Sequence, residues 1–336
     1  MAMARYCAIK RCPEFSMRVA LPGVDSMRRI LLAGCLLFSA VCGADVPAFA
    51  QVQVFKVQGS EKLDLSGLAL CQGGLYTISD KVSDKVFRIR WHGANPEVVV
   101  ARQLPALPPR EIEYSGTVKM MDRLAGPGLD WEDIACHDGD FYLLSERRNA
   151  ILGVSGRWVE WLEPDWYDAL HRQGFLNRYN AMVEGFARID ARHWLLALER
   201  EPRGLAVLTR EDSGWRARGF ALGNEQHLKF RADNADVSAL ALHGGALYTL
   251  ERNASAVCRR DLQQFRARSC YSYAAIENDP RYRYADNRYG QAEGLAMDDD
   301  WIYIVFDNNG GAFAADAQDR RALLLKTPMP ADWREG

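Results

Sequence analysis

One motif recurs five times along the chain, and a repeat of that length restricts the fold more than any other feature of the sequence. The copies read DLSGLALCQGGLYTISDK from Asp64, DWEDIACHDGDFYLLSER from Asp130, MVEGFARIDARHWLLALER from Met182, DVSALALHGGALYTLERN from Asp236 and QAEGLAMDDDWIYIVFDN from Gln291. Each is a short apolar run, a turn rich in Gly, Asp or His, and a second apolar run, which is the pattern of a β-hairpin. Further strand-like runs lie between copies, such as Phe87 to Trp91 with Glu97 to Ala101, and Leu205 to Leu208 with Trp215 to Ala221. Each period therefore holds about four strands.

The aligned positions Ser66, Glu132, Glu184, Ser238 and Glu293 are 66, 52, 54 and 55 residues apart. A four-stranded propeller blade with modest loops fits such periods. The expected fold is an all-β propeller of five four-stranded antiparallel blades. The long first interval, with its excursion from Leu104 to Gly128, leaves room for a sixth. Gln51 to Val57 alternates like a strand and is placed to close the ring against a last blade that includes Arg321 to Lys326. Residues 163–174 have helical spacing and are expected to cap one mouth of the propeller.

The first fifty residues differ from the rest. Arg28 and Arg29 precede an apolar run from Ile30 to Cys42, and Ala48 and Ala50 are the small residues a signal peptidase reads. This pattern predicts a signal peptide over residues 1–50, with an over-long N-terminus, and a single propeller domain over 51–336. The run is about thirteen residues, short of the roughly 20 that span a bilayer. A lipoprotein box ending at Cys35 is the alternative. Residues 51–336 carry 36 basic and 41 acidic residues, a net of −5. Nothing in that balance suggests a nucleic-acid track or a membrane-surface patch. A periplasmic or secreted monomer is expected. Four cysteines remain beyond residue 50. Cys258 and Cys270 are spaced to bridge adjacent strands of a hairpin, whereas Cys71 and Cys136 either pair across blades or stay as buried thiols.

The first strand of a blade lines the central channel, so Ser66, Glu132, Glu184, Ser238 and Glu293 should form one ring around the axis. A second recurrence, Asp80, Glu146, Glu199, Glu251 and Asp307, ends the second strand of each hairpin and should meet the first ring at the same mouth. Eight carboxylates in one funnel repel each other unless cations compensate. Arg147, Arg200 and Arg252 directly follow three members of the second ring and either pair with them or clamp substrate oxygens. A set of hard oxygen ligands suits Ca²⁺ better than Zn²⁺, so calcium held by Glu132, Glu184 and Glu293 with Ser66 and Ser238 is the expected cofactor. Asn180, Asn234 and Asn287, in loops before the anchors, either contact substrate or cap turns. His137, His193 and His243 fall in hairpin turns at the other mouth, which argues against a histidine metal site. No G-x-S-x-G elbow, Walker loop or H-E-x-x-H occurs.

The copies VEGFA, AEGLAMD and WEDIA, followed by strands ending in LSER, ALER and LERN, resemble the "esterase-like activity of phytase" family of secreted bacterial propellers. They are similar also to the SdiA-regulated propeller family. The resemblance covers most of residues 60–310. It implies calcium-assisted hydrolysis of a phosphate or other ester, with Glu132, Glu184 and Glu293 as metal and base set and Arg147, Arg200 and Arg252 on substrate oxygens. The calcium-binding aspartate clusters and basic phosphate contacts of alkaline phytases have no counterpart as motifs. Two other functions fit the same carboxylates: a non-catalytic ligand- or protein-binding propeller with a structural metal, and a lactonase-like hydrolase.

Overall fold

The Gly, Asp and His turns fold each apolar pair back on itself, and twenty strands result among the described residues. The computed structural model describes residues 46–107, 110, 114, 119–121, 124, 128–162 and 164–334. Blade 1 comprises β2 (Leu65–Cys71), β3 (Gly74–Ser79), β4 (Val82–His92) and β5 (Asn95–Gln103). Blade 2 comprises β6 (Trp131–His137), β7 (Asp140–Ser145), β8 (Ala150–Val154) and β9 (Val159–Trp161). Blade 3 runs through β10 (Val183–Arg188), β11 (His193–Leu198), β12 (Gly204–Glu211) and β13 (Gly214–Ala221). Blade 4 holds β14 (Ala239–His243), β15 (Ala246–Glu251), β16 (Ala256–Arg260) and β17 (Ala267–Ser272). Blade 5 is built from β18 (Ala292–Met297), β19 (Trp301–Phe306) and β20 (Leu323–Pro328), with β1 (Gln53–Lys56) as its outer strand.

All pairings within blades are antiparallel and sequential except the closure, where β1 lies on β20 with Val54 opposite Leu325 and Phe55 opposite Leu324. The two ends of the propeller thus share one sheet, which removes the open gap between first and last blade. Five sheets are present among the described residues, and the expected five-bladed propeller is the observed fold. The excursion Leu104–Gly128, where a sixth blade had room, falls largely outside the described residues.

Each blade is covered on both faces by its neighbours, so the middle strands read as continuous apolar runs. In β19, Ile302, Ile304, Val305 and Phe306 are all at most 1% exposed. Burial of side chains of this size stabilises by roughly 1.5–3 kcal/mol each. Helix α1 (Tyr167–His171) lies in the expected helical insertion and buries Tyr167 and Leu170 in the cluster that also holds Trp166, Phe175 and Leu196. It packs against β13 rather than over a mouth. Two further helical turns, α2 (Ala274–Glu277) and α3 (Ala331–Arg334), bury Glu277 and Trp333.

Both candidate disulfides are formed. Cys258 and Cys270 face each other across β16 and β17. Cys71 and Cys136, at the ends of β2 and β6, join blades 1 and 2 with their Cα atoms 5.5 Å apart. The apolar run from Ile30 to Cys42, Cys35 included, lies outside the described residues. Val46 to Ala50 are packed into the propeller. The Phe49 amide donates to Ser272 O at 2.9 Å and Thr327 Oγ1 donates to Ala50 O at 2.9 Å. The Phe49 ring is stacked at 5.5 Å on Tyr271 and meets Trp333 edge-on at 6.0 Å. No described helix is long and apolar enough to cross a membrane.

Candidate functional site

The innermost strands β2, β6, β10, β14 and β18 contact one another in a closed ring. Where they converge, four blades place Gly67, Gly185, Ala239 and Gly294 against the axis and blade 2 places Asp133. A Cβ on Gly294 would lie 2.5 Å from the Gly67 carbonyl carbon, so the approach of those two strands needs glycine. Asp133 is 2% exposed, and its carboxylate accepts from the amides of Ile134 at 2.8 Å and Phe186 at 2.9 Å, tying blades 2 and 3. This waist separates two axial cavities. The smaller, about 170 Å³, is lined mainly by apolar residues with His137 and Arg188. The larger, about 860 Å³, is the carboxylate funnel.

The funnel owes its glutamates to β-bulges. In β6 the ladder pairs Trp131 with Ser145 and Asp133 with Leu144, leaving Glu132 as the extra residue. Glu184 and Glu293 are the extra residues between Val183 and Gly185 in β10 and between Ala292 and Gly294 in β18. A bulge releases one residue from the alternation of the strand and re-aims it, here into the funnel. The second ring arrives as the hairpins predict. The amides of Glu146, Glu199 and Asp307 donate to the carbonyls of Asp130, Met182 and Gln291 at 3.0, 2.9 and 2.8 Å, so the strand ends meet at this mouth.

Of the residues the sequence singled out, Ser66, Glu132, Glu184 and Glu293 of the first ring, Asp80, Glu146, Glu199 and Asp307 of the second, and Asn180, Asn234, Arg200 and Arg252 line the funnel. Four do not. Ser238 is fully buried and its Oγ donates to Ala292 O at 2.9 Å, because blade 4 has no bulge to turn it inward. Glu251 is fully buried beside β16, where it pairs with Arg203 and takes a 2.6 Å bond from Arg260 Nη2. Asn287 lines a small surface cleft with Arg231 and Glu277. Arg147 is buried off the funnel, with its backbone carbonyl bonded by the Tyr114 hydroxyl at 2.7 Å. Sequence reasoning missed Asp130, Lys81, Arg178, Asp233 and Asn253, all of which line the cavity. Asp130 had a visible signal: Asp64, Asp130 and Asp236 stand two residues before their anchors.

Arg252 organises one side. It donates from Nε to Asp236 Oδ2 at 2.8 Å, from Nη2 to Glu199 Oε1 at 2.6 Å and from Nη1 to Glu293 Oε1, with Glu184 Oε2 3.9 Å away. Burial alone would lower its pKa, but Glu293, Asp236, Glu184 and Glu199 hold it well above the ordinary arginine value. Arg200 pairs with Glu199 Oε1 and with the Asn180 carbonyl at 2.8 Å. Lys81 sits between Asp80 and Asp64.

The other side is compensated only from a distance, by Lys81 and Arg147 acting on Asp130 and by Arg200 acting on Glu146. Oxygens of Asp130, Glu132 and Glu146 lie within 4.8 Å of one another, as do those of Glu146, Glu184 and Glu199. No Lys or Arg among the described residues is within ion-pair distance of Asp130, Glu132 or Glu146. Burial, then repulsion from Glu184, Asp130, Glu146 and Glu293, pushes Glu132 well above the usual carboxylate range. Burial and repulsion from Glu184 and Asp130 do the same to Glu146. Glu199, 1% exposed, has an oxygen Oε2 with no hydrogen-bond partner. An orphaned buried carboxylate oxygen beside converging carboxylates is a donor set that a hard cation fits.

The family model described as esterase-like activity of phytase matches residues 63–310, which holds four complete blades and two strands of the fifth, β18 and β19. The chain belongs to the phytase-like family. Among solved structures it is similar to glutaminyl cyclase from Myxococcus xanthus, with 12% identity and a TM-score of 0.48 over 83% of this chain and 96% of that one. It is similar also to the PQQ-bound aldose sugar dehydrogenase from Streptomyces coelicolor, with 15% identity and a TM-score of 0.44 over 84% of this chain and 99% of that one. No curated protein matches the chain.

Proposed function

We propose that this phytase-like chain is an exported hydrolase of an ester or phosphoester, acting as a monomer on a small molecule with a divalent cation, calcium foremost, in the blade 2–3 arc of the funnel. The two disulfides support an oxidising compartment, periplasmic or extracellular. The observation that carries the reading is the arc itself: Asp130, Glu132, Glu146, Glu184 and Glu199 converge while the first three have no Lys or Arg within ion-pair distance among the described residues and Glu199 Oε2 is orphaned. All donors are oxygens, which favours calcium or magnesium over zinc.

Once bound, the ion would polarise the scissile carbonyl or phosphoryl group and acidify a water. The chain's own residues do the rest. Arg200 and Arg252 fix Glu199 through Oε1, which leaves Oε2 directed to the arc. The Met182 amide donates to Glu146 Oε1 at 2.8 Å and holds that side chain in place. Glu132 is half-buried on the cavity wall, and its raised proton affinity suits a general base for the attacking water. Glu293 belongs to Arg252 in this reading, not to the ion. Lactone opening is the same chemistry applied to a cyclic ester. A purely structural ion is disfavoured because Arg252, Asp133 and the Cys71–Cys136 bridge already tie the blades together.

The test is hydrolysis of an aryl phosphomonoester, an aryl acetate and a γ-lactone by the purified protein, with calcium and with chelator. The proposal expects calcium-dependent turnover of at least one class and its loss in Glu146→Gln. Turnover insensitive to chelator, or none on any class, sinks it.

A further inference from the structure

The funnel has far more space than an ion needs, and the charges on its wall constrain what else enters. Each basic side chain lining it is already engaged. Lys81 lies on Asp80 and Asp64, Arg178 on Glu201 at 2.5 Å, Arg200 on Glu199, and Arg252 on Asp236, Glu199 and Glu293. Asp130, Glu132, Glu146, Asp233 and Asp307 also line the wall, and none has a Lys or Arg at ion-pair distance among the described residues. A polyphosphorylated molecule would find no unpaired Lys or Arg among the described residues that line the funnel, and a wall of like charge.

A second feature of the wall is independent of the carboxylates. Asn253 is 1% exposed, and its Oδ1 accepts the Gly290 amide at 2.8 Å, while its Nδ2 has no partner. A buried amide donor left unpaired on a cavity wall is costly unless a ligand supplies the acceptor. Donor and carboxylates together define a complement: a positive head and an acceptor on the same small molecule.

We infer that the ion-free funnel binds an organic cation whose amine or guanidinium head takes the place of calcium on the unpaired carboxylates and whose oxygen accepts from Asn253 Nδ2, and that it excludes polyanions. This binding preference stands apart from the proposed hydrolase reading.

The test uses calorimetry on the full chain with three probes: calcium alone, spermidine, and myo-inositol hexakisphosphate, the last with and without saturating calcium. Spermidine is expected to bind the ion-free protein and to be displaced by calcium. Its affinity should fall about tenfold or more in Glu132→Gln, because a desolvated charge partner is lost. Asp233→Asn, at the exposed rim, is a second variant that leaves the buried wall intact and should give a smaller loss. The hexakisphosphate should give no heat with the ion-free protein, and with calcium none beyond a protein-free calcium blank. The inference is overturned if the hexakisphosphate binds the calcium-loaded protein more tightly than spermidine binds the ion-free protein, or if neither substitution weakens spermidine. Spermidine binding with a silent calcium titration defeats the hydrolase reading and leaves this one standing. Calcium binding with tight hexakisphosphate binding does the reverse.

Discussion

The two sides of the funnel carry the same kind of residue and solve the same electrostatic problem differently. On the side of blades 3, 4 and 5, one arginine is bonded to Asp236, Glu199 and Glu293, and the charge is settled within the protein. On the side of blade 2, Asp130, Glu132 and Glu146 are just as closely gathered, and none has a Lys or Arg within ion-pair distance among the described residues. Two unit charges about 4 Å apart interact by about 4 kcal/mol at the effective dielectric near a protein surface, so such an arc needs either protons or a ligand. A pseudo-symmetric ring can thus be neutralised internally over part of its circumference and left open over the rest. The open part is where function is to be sought.

The largest effect should come from breaking the settled side. Arg252→Leu strands Asp236, which is fully buried, together with Glu293, and leaves Glu199 with Arg200 alone. Removing one partner of a buried ion pair costs about 3–5 kcal/mol, so denaturant unfolding should show a loss of that order. A loss under about 1 kcal/mol would mean that Arg252 is not the internal counter-ion.

Next in size is the effect of the ion on the open side. A ligand that binds only the folded state at 100 times its Kd stabilises by about 2.7 kcal/mol. Calcium at that excess should raise the melting temperature of the wild type and of Glu293→Gln, and not that of Glu146→Gln. A shift that disappears in Glu293→Gln but survives in Glu146→Gln would put the ion on the wrong side.

Without an ion, the open side is under repulsion that neutral isosteres relieve. Glu132→Gln is therefore expected to stabilise the ion-free protein by about 1 kcal/mol, since protonation of the arc already relieves most of the pairwise repulsion. Equal or lower stability of the variant would show that the repulsion is already screened.

The same imbalance sets the pH dependence. Burial, the largest cause, raises Glu293 from its ordinary 4.5 to about 8 and Asp307 from 3.8 to about 8. A carboxyl whose folded pKa lies above its unfolded one binds more protons when folded, so stability is greatest below the unfolded value and declines as pH rises through the folded one. The ion-free protein should thus lose melting temperature between about pH 4.5 and pH 8. A rise in stability over the same range contradicts the charge reading of both sides.

The architecture was legible because a propeller repeats itself: five hairpins, their spacing and the closing strand can all be seen in the chain. The mouth at which the two carboxylate rings meet followed from hairpin geometry alone. The individual aim of each side chain did not follow. Glu132, Glu184 and Glu293 reach the funnel through bulges, and a bulge is a register event that leaves no mark in an alternating pattern. Ser238 and Glu251 sit at equivalent sequence positions and point elsewhere, since blade 4 lacks the bulge and supplies Arg260, with Arg203 from blade 3, to take the carboxylate. The pairing of Arg252 with carboxylates from three blades is long-range, and no local spacing encodes it. Val46 to Ala50 read as the end of a leader, yet the contacts that bury Phe49 come from Tyr271 and Trp333, more than two hundred residues away.

The most direct measurement is a calorimetric titration of calcium into three proteins: wild type, Glu146→Gln and Glu293→Gln. The account predicts one site with a Kd of about 10 µM or tighter in the wild type. It predicts that Glu293→Gln keeps the site and that Glu146→Gln loses it. No binding to the wild type, or loss in Glu293→Gln with retention in Glu146→Gln, would contradict the division of the funnel into a settled and an open side.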